Sequence, residues 1–160
     1  MKNILLLFFI MISLFSCKKD ESVENIEIEI DNFKDKDINL FYKDREYNLV
    51  ILNYWATYCS PCKVEMADFV KLNSMYKDRG LLVIGATQEG EESLSLINKL
   101  CKILKVNYPI LYQVKNSFGG ETILGLPTTY IIAKNGDIIE KIDGKRDYNY
   151  FHNIVKKYCE

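Results

Sequence analysis

Histidine is almost missing from this chain: His152 is the only one in 160 residues. That argues against a histidine-built zinc site and against a Ser-His-Asp hydrolase, since both depend on imidazole. Charge of one sign is missing too. The 21 basic and 22 acidic residues leave a formal net charge of −1, too weak a field to hold nucleic acid. Proline is scarce at three, in a composition otherwise ordinary for a globular protein, 48% hydrophobic and 27% charged. The length fits one domain with an N-terminal appendage and leaves no room for a second substantial core. No internal repeat is visible.

The appendage is the one long hydrophobic stretch. Lys2 precedes residues 4–15 (ILLLFFIMISLF). As a helix this run reaches about 18 Å at 1.5 Å per residue, against a bilayer hydrocarbon core of about 30 Å. It therefore reads as a signal peptide over residues 1–16 and not as a membrane span. The run ends Leu14-Phe15-Ser16-Cys17, which resembles the lipobox of bacterial lipoproteins and implies lipidation of Cys17. Phe15 stands where a smaller residue is more usual. Residues 17–25 then form the lipidated cysteine and a solvated tether, and residues 26–160 form the domain.

Within the domain the hydrophobic period changes along the chain. Residues 26–30 (IEIEI) alternate strictly, and Ile38, Leu40 and Tyr42 resume the alternation after a polar turn. This predicts a β-hairpin at the domain's start. Residues 49–55 (LVILNYW) and 81–86 (LLVIGA) read as strands buried on both faces. Between them Cys62, Met66, Phe69, Val70, Asn73 and Tyr76 follow the helical period, with Gly80 as its C-terminal stop. A second helix is predicted over residues 91–104, with Leu94, Ile97, Leu100, Cys101 and Leu104 on one side, and residues 108–112 are short and extended. Two strands follow, joined around Asn135-Gly136, a strong hairpin signal, and Asp147 caps a last helix. Strands alternating with helices, closed by a hairpin, give an α/β fold: a central mixed sheet with helices on both faces.

Outside the cytosol thiols tend toward disulfides. Apart from Cys17 four cysteines remain, too few for a disulfide scaffold: one pair, Cys59 and Cys62, and two singletons. The pair sits where a strand gives way to a helix. Cys59 falls at the helix start, where unpaired N–H groups and the helix dipole favour an anion, so its pKa should lie below the free value of about 8.5. Pro61 suits the opening turn, where a missing N–H costs nothing. Cys62, one turn inside, is placed to displace a substrate from Cys59 by thiol–disulfide exchange. A zinc site would need a second CxxC or paired histidines, and neither is present. Glu65, three residues after Cys62, projects toward the same face, where partial burial would raise its pKa and suit it to carry the Cys62 proton.

Residues 52–65 (LNYWATYCSPCKVE) and 125–130 (GLPTTY) resemble the TlpA/ResA-like branch of the thioredoxin superfamily. The resemblance covers residue 26 to the end and implies a thioredoxin-like fold in a membrane-tethered thiol–disulfide oxidoreductase facing away from the cytosol. It implies a redox-active Cys59–Cys62 disulfide, a cis Pro127 beside it, docking of an extended substrate at Leu126, and Trp55 at the substrate site. It also implies a glutamate at position 65 beside the active site. Asn53 stands where thioredoxin itself has a buried aspartate, which leaves Glu65 as the proton carrier, and Tyr58 replaces the family's usual tryptophan. The implied partners are disulfide-containing exported proteins, in some members apocytochrome c, with electrons from a membrane thiol donor. No metal or organic cofactor is called for. A dithiol oxidase, a thiol peroxidase and a non-catalytic binding module are the competing readings. Peroxiredoxins place a proline ahead of their reactive cysteine, and the strand-to-helix region here has none before Thr57.

A Cys101–Cys159 bridge would require Cα atoms within about 7 Å. Right-handed crossovers predict their helices on opposite faces of the sheet. Cys101 is therefore expected to be a core residue and Cys159 a terminal thiol, with His152 a packing or surface residue.

Overall fold

Strand β2 (Leu49–Tyr54) is buried at all six positions, as its unbroken apolar run requires. It lies at the middle of a six-stranded sheet in a computed structural model that describes residues 28–34, 36–43 and 46–160. The expected signal peptide and tether, and Cys17, lie outside the described residues. The remaining elements are β1 (Ile30–Asn32), α1 (Asn39–Tyr42), α2 (Ser60–Tyr76), β3 (Leu81–Ala86), α3 (Leu94–Leu104), β4 (Ile110–Tyr112), β5 (Ser117–Phe118), β6 (Glu121–Thr122), β7 (Thr128–Ala133), β8 (Ile138–Asp143) and α4 (Tyr148–Cys159). The sheet order is β1-β4-β3-β2-β7-β8, and β5 and β6 form a separate small hairpin. Strands β1, β4, β3 and β2 run parallel to one another, while β7 runs antiparallel to β2 and β8 antiparallel to β7. Gly80 ends the α2 region with φ +89°, a left-handed turn that glycine adopts without penalty.

The pleat divides the core in two. Leu49, Ile51, Val83 and Ile131 point to one side, where they pack with Met66 and Phe69 of α2, Ile97 and Cys101 of α3, and Phe151 and Val155 of α4. Phe69 and Phe151 meet edge to face at 4.8 Å between ring centroids, and deleting either ring should cost about 3–5 kcal/mol. Val50, Leu52, Tyr54, Ile84, Tyr130 and Ile132 point to the other side and pack with Ile38, Phe41 and Tyr42 of the α1 region and Phe118 of the β5–β6 hairpin.

Two expectations are corrected. The N-terminal β-hairpin does not form: β1 pairs parallel with β4, Ile30 opposite Ile110, and the second run becomes α1. The Asp37 side chain accepts a hydrogen bond from the Asn39 N–H at 2.9 Å, which favours a turn start. Ile38, Phe41 and Tyr42 are then buried at helical spacing, while Leu40 is 69% exposed. The alternation at 38, 40 and 42 hid the stronger i, i+3, i+4 pattern carried by Phe41. The second correction concerns α3 and α4, which belong to one core on one face of the sheet. Strands β2, β3 and β4 step in one direction, so right-handed crossovers place α2 and α3 together, and the return through β7 and β8 brings α4 against α2. Cys101 and Cys159 are nevertheless both free thiols, and both are buried.

Candidate active site

Strand β2 ends at Tyr54, and the chain then turns through residues 55–58 before α2 begins. That turn is held in place. The Glu89 carboxylate, in the loop after β3, accepts from the Thr57 N–H at 2.7 Å and the Thr57 hydroxyl at 2.6 Å, and the Thr87 hydroxyl donates to it at 3.2 Å. The Cys59 N–H donates to the Ala56 carbonyl at 3.0 Å. Cys59 is thereby fixed as the N-cap of α2, its Sγ accepting from the Cys62 N–H at 3.3 Å, with Pro61 inside the first turn. Cys59 and Cys62 form a disulfide. Cys59 is the outer member at 8% exposure, and Cys62 is fully buried.

A groove of about 640 Å³ opens beside Cys59. Tyr58, Ser60 and Pro61 line it from the helix side, and Gln88, Ile123, Leu124, Gly125 and Leu126 line it from the other. Leu124 is 93% exposed and Tyr58 76%, so the groove offers large apolar side chains to solvent. The Leu126–Pro127 peptide is cis and Leu126 borders the groove. Trp55 does not line it. At 1% exposure it packs over Gly85, where an added Cβ would lie 3.1 Å from the indole Nε1. The expectation that Trp55 contacts substrate is corrected: it is a core residue beneath the site.

Glu65 is fully buried. Its Oε2 accepts from Asn53 Nδ2 at 2.9 Å and from the Thr129 hydroxyl at 3.3 Å, and its Oε1 accepts from the Arg146 N–H at 3.0 Å. These groups come from β2, β7 and the β8–α4 loop, and they meet because Asn53 sits directly opposite Thr129 in the antiparallel pair. Burial raises the Glu65 pKa above its usual 4.5, opposed by the Arg146 N–H, the Thr129 hydroxyl, the Lys145 charge and the Asn53 amide. Asn53 Oδ1 is buried without a hydrogen-bond partner among the described residues, at a cost of about 1–3 kcal/mol.

Cys101 is remote in role: burial alone pushes its thiol up to about 12. His152 packs in an aromatic group, stacked on Tyr148 at 5.2 Å with its Nε2 2.9 Å from the Tyr76 hydroxyl. Among the described residues no group of three or more His, Cys, Asp or Glu side chains is placed to hold a metal ion. Sequence reasoning assigned no role to Thr57, Thr129, Glu89 or Leu124. Thr129 lies within the GLPTTY motif, two residues past Pro127, and only the β2–β7 register reveals its partners. Nothing local marks Glu89 or Leu124, which sit in loops.

A thioredoxin-like sheet, with a CxxC pair opening the helix after a central strand, defines the class as thiol–disulfide oxidoreductase. The chain belongs to the AhpC/TSA family, whose model matches residues 6–141. It is 29% identical, over 98% of both chains, to the thiol-disulfide oxidoreductase ResA of Bacillus thuringiensis subsp. konkukian. Among solved structures it is similar to a thioredoxin-family thiol:disulfide interchange protein of Chlorobium tepidum TLS. That match has a TM-score of 0.61 and 27% identity, and covers 72% of this chain and 82% of the other. A thioredoxin-related protein of Neisseria meningitidis serogroup B matches with a TM-score of 0.60 and 27% identity, over 79% of this chain and 96% of the other.

Proposed function

We propose that this oxidoreductase reduces disulfides in exported proteins, held at the outer side of a bacterial cell membrane by a lipid on Cys17. The observation that carries the reading is the arrangement at α2: Cys59 caps the helix at the edge of an apolar groove, Cys62 is sealed behind it, and Glu65 is buried three residues further on. In the reduced protein the Cys59 thiolate attacks one sulfur of a substrate disulfide and expels the other as a thiolate. Glu65 takes the proton from Cys62, whose thiolate then attacks Cys59 Sγ. The Cys59–Cys62 disulfide forms, and the second substrate sulfur leaves. Two electrons from a membrane thiol donor return the pair to dithiol. The substrate lies in the groove along Leu126, with Pro127 shaping its floor.

The location rests on the N-terminal sequence, residues 1–16 as signal peptide and 17–25 as lipidated cysteine and tether. Full-length similarity to a ResA protein supports it. Apocytochrome c, as a substrate whose cysteines must be reduced before haem attachment, fits the same resemblance.

Substrate trapping tests the reading. With Cys62→Ala the mixed disulfide should stall on Cys59, and exported proteins should be recovered from it after reduction. Reduced wild-type protein should cleave the insulin disulfides. A protein that instead oxidises reduced, unfolded substrates and leaves insulin intact is a dithiol oxidase. Intact-mass analysis of the mature chain tests the anchor: an unmodified Cys17 overturns it.

A further inference from the structure

The buried corner around Glu65 presents three donors to the carboxylate, and the side chain that supplies one of them also carries an idle acceptor. Asn53 Nδ2 reaches both Glu65 Oε2 and Thr129 Oγ1 at 2.9 Å. The Thr129 hydroxyl, accepting from Asn53, is left to donate to Glu65, and the Arg146 N–H can only donate. This shell fits a carboxylate. A carboxylic acid, whose O–H needs an acceptor, fits it only if a neighbour turns to offer one. Two buried acceptors facing the corner lack a partner among the described residues, Asn53 Oδ1 and the Tyr108 hydroxyl, and of the two Asn53 is the one whose side chain already bonds Glu65.

We infer that Asn53 is a positioning residue for Glu65: its amide faces the carboxylate through Nδ2, and turns to present Oδ1 when Glu65 carries the proton of Cys62. The inference rests on the proton-carrying role proposed for Glu65 and adds how the corner accommodates both protonation states. No bond forms or breaks at Asn53. One proton moves from the Cys62 thiol to Glu65 and later leaves, and the amide rotates about its last side-chain bond. Swapping N–H for C=O changes neither shape nor volume, which a close-packed interior demands. An aspartate at position 53 would instead set a second carboxyl beside Glu65, and like charges so close do not both ionise. The other titratable groups facing the corner are Lys145 in the β8–α4 loop and Tyr108 ahead of β4, with Cys62 one turn earlier on α2. Burial holds the Tyr108 hydroxyl well above its usual value, so it stays neutral through any pH at which Glu65 titrates.

The test is NMR on the full chain in detergent, with the Glu side chains carrying carbon-13 and the Asn side chains nitrogen-15. The Asn53 Nδ2 protons and the Glu65 carboxyl carbon should titrate with one midpoint in the oxidised protein. Asn53→Ala should raise the Glu65 midpoint by about one pH unit through the lost donor, and the pH profile of disulfide exchange should move with it. Should that variant fail to fold, the isosteric Asn53→Asp serves, and there Glu65 should titrate in two coupled steps. An Asn53 amide whose resonances stay fixed while Glu65 titrates overturns the inference, as does an unchanged Glu65 midpoint in both variants. Exchange is read separately. Exchange that ignores Glu65→Gln sinks the proton-carrier reading, yet leaves the correlation between amide and carboxyl standing.

Discussion

Thr129 donates its hydroxyl to Glu65 at 3.3 Å, joining the strand that follows Pro127 to the helix that carries Cys59 and Cys62. The two residues are 64 apart in sequence, and both are buried. Whatever shifts the loop that carries Pro127 therefore acts on the residue proposed to manage the Cys62 proton. Thr129→Val keeps the shape and deletes the donor. A hydrogen bond to a charged group contributes about 1.5–3 kcal/mol, so the variant should lose about 1–2 kcal/mol of stability by urea unfolding. The midpoint of the exchange pH profile should move upward. An unmoved profile breaks the proposed link.

Glu65→Gln should flatten the pH dependence of exchange and slow the resolving step, by no more than about a hundredfold, the lower end of general acid–base contributions. Stability carries the opposite face of the same effect. Burial raises the Glu65 pKa above 4.5, so the folded protein holds this proton more tightly than the unfolded chain. That contribution is complete below pH 4.5 and is lost as pH rises through the raised value. Urea unfolding of the oxidised protein across this window should show the decline in wild type and a shallower one in the variant. Equal slopes would remove Glu65 from the account.

Much of this site is legible in the sequence because it is local. Cys59, Pro61, Cys62 and Glu65 lie within seven consecutive residues, where helical spacing alone sets their relation. Pro127 is legible through the GLPTTY motif. The Asn53–Glu65–Thr129 corner is not, because a β2–β7 register joins residues that no local pattern connects. The fold-level errors have other causes. The alternation at 38, 40 and 42 masks the stronger helical spacing of Ile38, Phe41 and Tyr42, which shows only once Phe41 is counted. The placing of α4 depends on the direction in which successive strands are added, which hydrophobic period does not encode.

Glu89 should matter to stability more than its loop position suggests. Its carboxylate engages both the N–H and the hydroxyl of Thr57, two residues before Cys59. It is partly exposed, so solvent screening reduces each bond's worth, and Glu89→Ala should destabilise by about 2 kcal/mol. Thermal unfolding with the disulfide intact measures this. The same variant should lower exchange rates, since the turn that holds Cys59 loosens. Unaltered stability would show that the backbone sets the turn without help.

Leu124, 93% exposed at the groove, touches too little to stabilise the fold. Leu124→Asp should leave stability within about 0.5 kcal/mol. Its cost should fall on substrates that fill the groove. Losing about 1.4 kcal/mol of apolar contact is a tenfold drop in kcat/KM toward a protein disulfide, while a small aromatic disulfide that reaches only Cys59 should react as before. Equal losses toward both would mean that the substitution disturbs the cysteines themselves.

The described thiols should separate sharply in reactivity once the protein is reduced. Cys59 caps α2, where the helix N-terminus favours a thiolate, and the groove gives reagents access to it. Cys62 is fully buried behind it. Cys101 has no exposure, and burial pushes its thiol up to about 12; Cys159 is raised in the same direction. Limiting iodoacetamide near neutral pH should therefore label Cys59 first and Cys62 far more slowly. Cys101 should react only after unfolding in denaturant, because attack needs both a thiolate and a path to it. Peptide mapping by mass spectrometry reads all four sites in one experiment. Cys62 labelled ahead of Cys59 would reverse their roles as resolving and attacking thiols. Early labelling of Cys101 would mean that α3 opens readily from the sheet, contrary to a residue packed at the centre of the α2–α3–α4 core.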